Sequence, residues 1–179
     1  RPDLHIVVMS ATLDVKPVSR YLGSCPVIET TGRAHPVTME YARDADERPL
    51  ERRAAAAVRS LADRMKSGEI PRGHLLVFLP GVREIESTAR SLSPWAREAG
   101  WDIYPLHGSM KAEKQDAALA TGSRPRVIVS TNIAETSLTI DGVTAVVDSG
   151  LVKMLRHDRG VGLDRLELER TSRASSEQR

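Results

Sequence analysis

Arg126-Val127-Ile128-Val129-Ser130-Thr131-Asn132-Ile133-Ala134-Glu135-Thr136-Ser137-Leu138-Thr139-Ile140-Asp141-Gly142-Val143 decides how this chain reads. Val127 to Val129 is a short continuous apolar run, and Val143 to Val147 is another. Runs of that length predict strands buried on both faces, the habit of parallel sheets. A plain turn would suffice between them. Instead there are hydroxyls, an amide and two carboxylates, which suit a polyanion held at the carboxyl end of a parallel sheet.

Outward from that stretch the alternation continues. Leu4 to Met9 and Leu75 to Leu79 are nearly unbroken apolar runs and predict buried strands. Val27-Ile28, Val37 to Tyr41 and Ile103 to Leu106 predict shorter ones. Val18, Tyr21 and Leu22 follow a short helical spacing that ends at Gly23. Leu50 to Lys66 predicts a helix, with four alanines from 54 and one apolar stripe through Val58, Leu61, Ala62 and Met65. Val82 to Leu92 and Lys111 to Leu119 are also helical in spacing, and Pro94 predicts a fresh helical turn through Ala99. Strands alternating with helices predict an α/β fold: a parallel sheet with helices on both faces. After Asp148 the pattern changes. Leu151 to Arg156 and Leu163 to Glu169 flank Gly160 and Gly162 and predict a β-hairpin near the C-terminus.

With 179 residues the chain can bury one well-formed core. A net charge of +2 makes it no global polycation, so any nucleic-acid contact must be local and geometric. Aromatic residues at 3% argue against recognition by stacking bases on several rings. Cys25 is the only cysteine and the five histidines are scattered, which excludes an internal disulfide and leaves no metal-ligand spacing. No apolar run approaches a membrane span and no signal peptide is evident, so a cytoplasmic chain without membrane contact is expected. Both ends read as cuts through a longer protein.

Ligands of open parallel sheets bind beyond the carboxyl ends of the strands. Four such ends are polar or tight: Ser10-Ala11-Thr12, Pro80-Gly81, His107-Gly108-Ser109 and Ser130 to Ser137. Thr131, Asn132, Thr136 and Ser137 offer side-chain donors beside free backbone N–H groups, an array that binds phosphate without net charge. The same residues would also serve as a helix cap worth about 1 kcal/mol. Asp141 can accept from ribose hydroxyls or simply precede the Gly142 turn. Gly81 and Gly108 permit close backbone approach or merely make turns. No phosphate loop of the G-x-x-x-x-G-K-[ST] type and no G-x-S-x-G elbow occurs, so a self-contained catalytic centre is not expected.

In order, these motifs resemble those of superfamily 2 helicases of the DEAH-box type over nearly the whole chain. Ser10-Ala11-Thr12 is similar to motif III, and Leu75 to Gly81 with Arg83-Glu84-Ile85 to motif IV. Pro105 to Met110 resembles the loop that follows, and Thr131 to Ile140 carries the specific motif V signature. Ser172 to Arg179 resembles the approach to motif VI, with Gln178-Arg179 as its first two residues. Phe78 to Gly81 and Val147 to Leu151 are most similar to the bacterial HrpB group.

The resemblance implies RecA-like domains, with ATP and Mg2+ bound mainly by a first domain outside this chain and single-stranded RNA or DNA across the top. Residues 1–35 would hold the last strand of that first domain and a linker; residues 36–179 would be the second RecA-like domain, truncated within motif VI. By position, Ser10 and Thr12 would couple the ATP site to domain movement. Gly81, Gly108, Ser109, Thr131, Asn132 and Thr136 would hold the nucleic-acid backbone. Asp141 would sit near the ribose, and Gln178 would face the γ-phosphate or the attacking water. Leu119 stands where many members stack an aromatic ring on adenine. The 151–169 hairpin resembles the strand-separating hairpin of these enzymes. The arginine fingers, worth roughly 10³–10⁵ in rate, would lie beyond Arg179. The parent is therefore expected to be an ATP-dependent helicase, partnered by the rest of its own chain, and this piece alone is expected to be inactive. The alternative is a non-catalytic nucleic-acid-binding or scaffold protein derived from a helicase.

Overall fold

A computed structural model describes residues 3–9, 14–29, 36–42, 46–120, 122–136, 140–158, 160 and 162–179. The chain divides into two compact units, Arg1–Ala45 with Gln178, and Asp46–Glu177 with Arg179.

The first unit carries one described helix, α1 (Val15–Tyr21), whose start is capped by the Asp14 carboxylate accepting from the Lys16 N–H at 3.2 Å. The expected strand at Leu4 to Met9 is not formed. Val7 is 80% exposed and Met9 87%. An apolar run becomes a strand only where a neighbour completes its hydrogen-bond ladder, and no described strand pairs with this one. Val27-Ile28 and Val37 to Tyr41 likewise lack partners and are not strands.

The second unit has the expected α/β architecture. Helix α2 (Leu50–Ser67) leads through the left-handed Gly68 into β1 (His74–Phe78). Then follow α3 (Val82–Ala99), β2 (Asp102–Leu106), α4 (Ala112–Leu119), β3 (Arg126–Ser130), the single turn α5 (Ile133–Thr136) and β4 (Val143–Asp148). The four strands form one parallel sheet in the order β2-β3-β1-β4. The two-residue side-chain period of a strand sorts its residues between two cores. Leu75, Val77, Val127 and Val129 pack with α2 and α3 through Val58, Met65, Ile85 and Leu92. Leu76, Phe78 and Ile128 pack on the other side with Leu106, Ala118 of α4 and Ala134 of α5. Helices therefore cover both faces.

Pro94 does not open a new helix. It lies inside the continuous α3. The ring removes one backbone bond, but Leu92 and Ala96 are both buried on the same stripe and hold the helix together. Two antiparallel strands, β5 (Leu151–Asp158) and β6 (Leu163–Arg170), form the expected hairpin, and a short α6 (Arg173–Gln178) follows.

The edge of the sheet where the strands begin is tightly closed. The His74 N–H donates to the Gly142 carbonyl at 2.7 Å, and His74 Nδ1 accepts from the Arg126 N–H at 3.2 Å. Arg126 is 2% exposed, and its Nη1 donates to the Ala118 and Ala120 carbonyls, where a cation complements the end of α4. Burial, helped by the Arg126 charge, holds the His74 pKa below its ordinary 6.5. The unfolded chain then takes up this proton first. His74 contributes stability that is complete above pH 6.5 and is lost as pH falls through the depressed folded value. Denaturant unfolding at stepped pH should show a decline beginning below 6.5. His74→Asn, which keeps an acceptor but does not titrate there, should flatten that part of the profile.

Candidate functional site

Because β1, β2 and β3 are parallel and in register, they end together: Phe78 and Leu106 both lie opposite Ser130. Three loops leave this one edge. Leu79 donates its N–H to the Ser130 carbonyl at 2.8 Å, and Thr131 donates to the Leu106 carbonyl at 3.4 Å, so the loops are stitched together as they emerge. Between them lies a groove of about 400 Å3. Its lining includes Gly81, Gly108, Ser109, Thr131 and Asn132, five of the six residues expected to hold a nucleic-acid backbone.

The sixth, Thr136, ends α5, the turn that begins just after Asn132; its side chain lies outside the described residues. Ser10 and Thr12 also fall outside them. Gln178 closes α6 and is exposed. Asp141 and Leu119 are not part of the groove. Asp141 is exposed beside Gly142, at the edge where the strands begin. Leu119 ends α4, packs against the second core and sits next to the carbonyls that Arg126 caps. The structure thus separates the residues expected at the backbone from those expected at adenosine, one set at each edge of the sheet.

Sequence reasoning assigned no role to three further groove residues. Arg83, His107 and Lys153 line it, and Arg83 and Lys153 add positive charge. His107 Nδ1 lies 2.8 Å from Ser109 Oγ, which fixes the imidazole against the loop. Lys153, in the first strand of the hairpin, reaches 69 residues back to pair with Glu84 of α3 at 3.0 Å. Partial burial alone would raise the Glu84 pKa. Its own backbone N–H and the Lys153 ammonium outweigh that, and the pKa falls below the ordinary value, keeping the carboxylate charged. A Cβ at residue 81 would come within 2.7 Å of Lys153 Nζ, so glycine here leaves room for the pair rather than for a special backbone angle. Gly81 also begins α3 without any side-chain cap, so among the first N–H groups of this 18-residue helix only that of Glu84 meets a side chain, its own carboxylate.

Neutral hydroxyls, an amide, glycine backbone, an uncapped helix start and a few cations form a set of hydrogen-bond donors. That arrangement can hold phosphate oxygens. Among the described residues no helix is long and apolar enough to cross a membrane, and no three His, Cys, Asp or Glu side chains converge as metal ligands.

Comparison with known proteins supplies the family. The family profile described as "Helicase conserved C-terminal domain" matches residues 57–174. The chain is 38% identical to the probable ATP-dependent RNA helicase DHX34 of Mus musculus, over all of this chain and 16% of that protein. It is 34% identical to the ATP-dependent RNA helicase HrpA of Escherichia coli strain K12, over all of this chain and 14% of that protein. Two crystal structures of E. coli HrpB superpose with TM-scores of 0.79 and 0.81, at 35% and 34% identity. They cover 100% and 99% of this chain and 22% of theirs. The chain therefore spans only a small part of the length of its relatives.

Proposed function

This chain belongs to the helicase conserved C-terminal domain family, within the DEAH-box helicases, and from that premise we propose that it grips a single nucleic-acid strand by its backbone and supplies half of an inter-domain ATP site. The observation that carries the proposal is the convergence of Gly81, Gly108, Ser109, Thr131 and Asn132 on one groove at the carboxyl edge of the sheet. Residues from three separate segments of the sequence share a surface whose donors suit phosphate.

Single-stranded RNA is the proposed strand, since the curated relatives are named as RNA helicases. Phosphate contacts carry no base information, so binding would be largely independent of sequence and sensitive to salt. Residues 1–35 are assigned to the end of the preceding domain and its linker, and 36–179 to the second RecA-like domain. On the nucleotide side, Asp141 would accept from the ribose hydroxyls and Leu119 would give adenine an apolar contact. These two residue types fit a nucleoside, and both lie at the edge where the strands begin. Gln178 would face the γ-phosphate or water, with Ser10 and Thr12 coupling hydrolysis to movement. Mg2+ and the triphosphate are assigned mainly to the rest of the same helicase chain, working in the cytoplasm. Bound ATP supplies the energy of closure; this chain's part is to hold the strand while the domains close and reopen.

The test is an ATPase assay of the intact protein with and without single-stranded RNA. RNA should stimulate hydrolysis several-fold, and the isolated 179-residue chain should hydrolyse nothing. An intact protein that binds RNA without any ATPase would instead be a scaffold, and steady turnover by the isolated chain would overturn the assignment of half a site.

A further inference from the structure

Arg179 follows α6 as its C-cap, yet its side chain is only 3% exposed. Nε donates to Glu135 at 2.9 Å, and Nη1 donates to Asp148 at 2.9 Å and to the Thr171 hydroxyl at 3.2 Å. The guanidinium carbon lies 4.7 Å from the centre of the Phe78 ring. One cation thus touches the end of β1, the turn α5, the end of β4 and the exit of β6. Each carboxylate has a second donor: Ser175 Oγ on Glu135, and the Gly150 N–H on Asp148 at 2.9 Å.

These contacts lead to both walls of the groove. The Glu135 N–H donates to the Asn132 carbonyl at 3.0 Å, and the Ala134 N–H to that of Thr131 at 3.4 Å, so Glu135 and the Thr131-Asn132 wall form one turn. On the other side, the Thr171 N–H donates to the Gly150 carbonyl at 2.9 Å and closes the foot of the hairpin whose Lys153 and Leu166 line the groove. We infer that Arg179 is a positioning residue: its buried guanidinium sets the spacing between the two walls. A guanidinium suits this task because its planar fork holds several acceptors at fixed angles, whereas an ammonium holds them only as a point charge. The inference rests on the proposed grip on single-stranded RNA.

The test uses the intact protein and compares the RNA concentration that half-saturates ATPase stimulation with the rate in the absence of RNA. Glu135→Gln and Arg179→Met should each raise the half-saturating RNA concentration about tenfold, within the ordinary range of coupling between sites. The double variant should be no worse than Arg179→Met alone, because both remove one contact. Arg179→Lys should recover only part of the loss. Leu92→Ala, in the opposite core beneath α3, lowers the melting temperature without touching the latch and should leave RNA half-saturation unchanged. Should Arg179→Met fail to fold, Glu135→Gln and Thr171→Val carry the comparison. Half-saturation within about twofold of wild type in the folded latch variants, or an equal shift in Leu92→Ala, would overturn the inference while leaving the grip intact. A wild-type protein with no RNA stimulation would overturn both.

Discussion

Thr131→Ala combined with Asn132→Ala should weaken binding of single-stranded RNA to the intact protein by roughly 10²-fold or more. Each side chain offers a hydrogen bond to a charged acceptor, worth about 1.5–3 kcal/mol. Every 1.4 kcal/mol is about tenfold in affinity. The loss should be alike on homopolymers of different base, because the partner is phosphate. The salt dependence separates the neutral donors from the cations. Removing a hydroxyl and an amide frees no counterions, so the slope of log affinity against log salt should be preserved. Lys153→Met or Arg83→Gln, by contrast, should lower that slope by about 0.7, the value for one phosphate contact on a single strand. Fluorescence anisotropy at several salt concentrations checks all of these. A double variant that lost affinity on one homopolymer only would mean that these residues read bases instead.

Gly73→Val should destabilise the fold by about 3 kcal/mol or more, the upper part of the range for overpacking. A Cβ at residue 73 would overlap the Thr144 side chain and stand 2.6 Å from the Gly142 carbonyl oxygen. Backbone cannot yield there, because the Gly142 carbonyl also accepts the His74 N–H that joins the starts of β1 and β4. For a domain of this size the cost corresponds to a fall of roughly 6–12 °C in melting temperature. Gly73→Ala should cost less, and adding Thr144→Ala should recover part of its loss. Equal melting temperatures for wild type and Gly73→Val would mean that the corner is looser than these contacts require.

How far the sequence could be read depends on which interactions are local. Strands β1 to β4 were legible because each is a short, largely apolar run bounded by turn residues. Burial on both faces leaves that mark in β1 and β3, whereas β4, expected to be equally buried, exposes Thr144 and Val146 on one face. Leu4 to Met9 carries the same mark and is exposed. Hydrophobicity states a demand for cover and says nothing about which strand supplies the ladder. Pro94 misled for a related reason: the local rule for proline was outweighed by Leu92 and Ala96 on a buried stripe.

The groove was legible in part. Gly81, Gly108, Ser109, Thr131 and Asn132 each follow a strand directly, so parallel strands ending in register were bound to gather them. Lys153 and Arg179 were not legible, because their partners lie 69 and 44 residues away. A charge in a sequence reads as a solvated face until folding shows what neutralises it. One signal was available for Arg179: a second half of each pair, Glu135 and Asp148, stood at strand or turn ends with no nearby cation.

Hydrogen–deuterium exchange of the intact protein, with and without single-stranded RNA, tests the grip most directly. The account predicts slowed exchange at the backbone amides of residues 81–83, 107–109 and 131–132, three separate segments that only a ligand in the groove would protect together. Protection elsewhere in the protein, with these three segments unchanged, would contradict it.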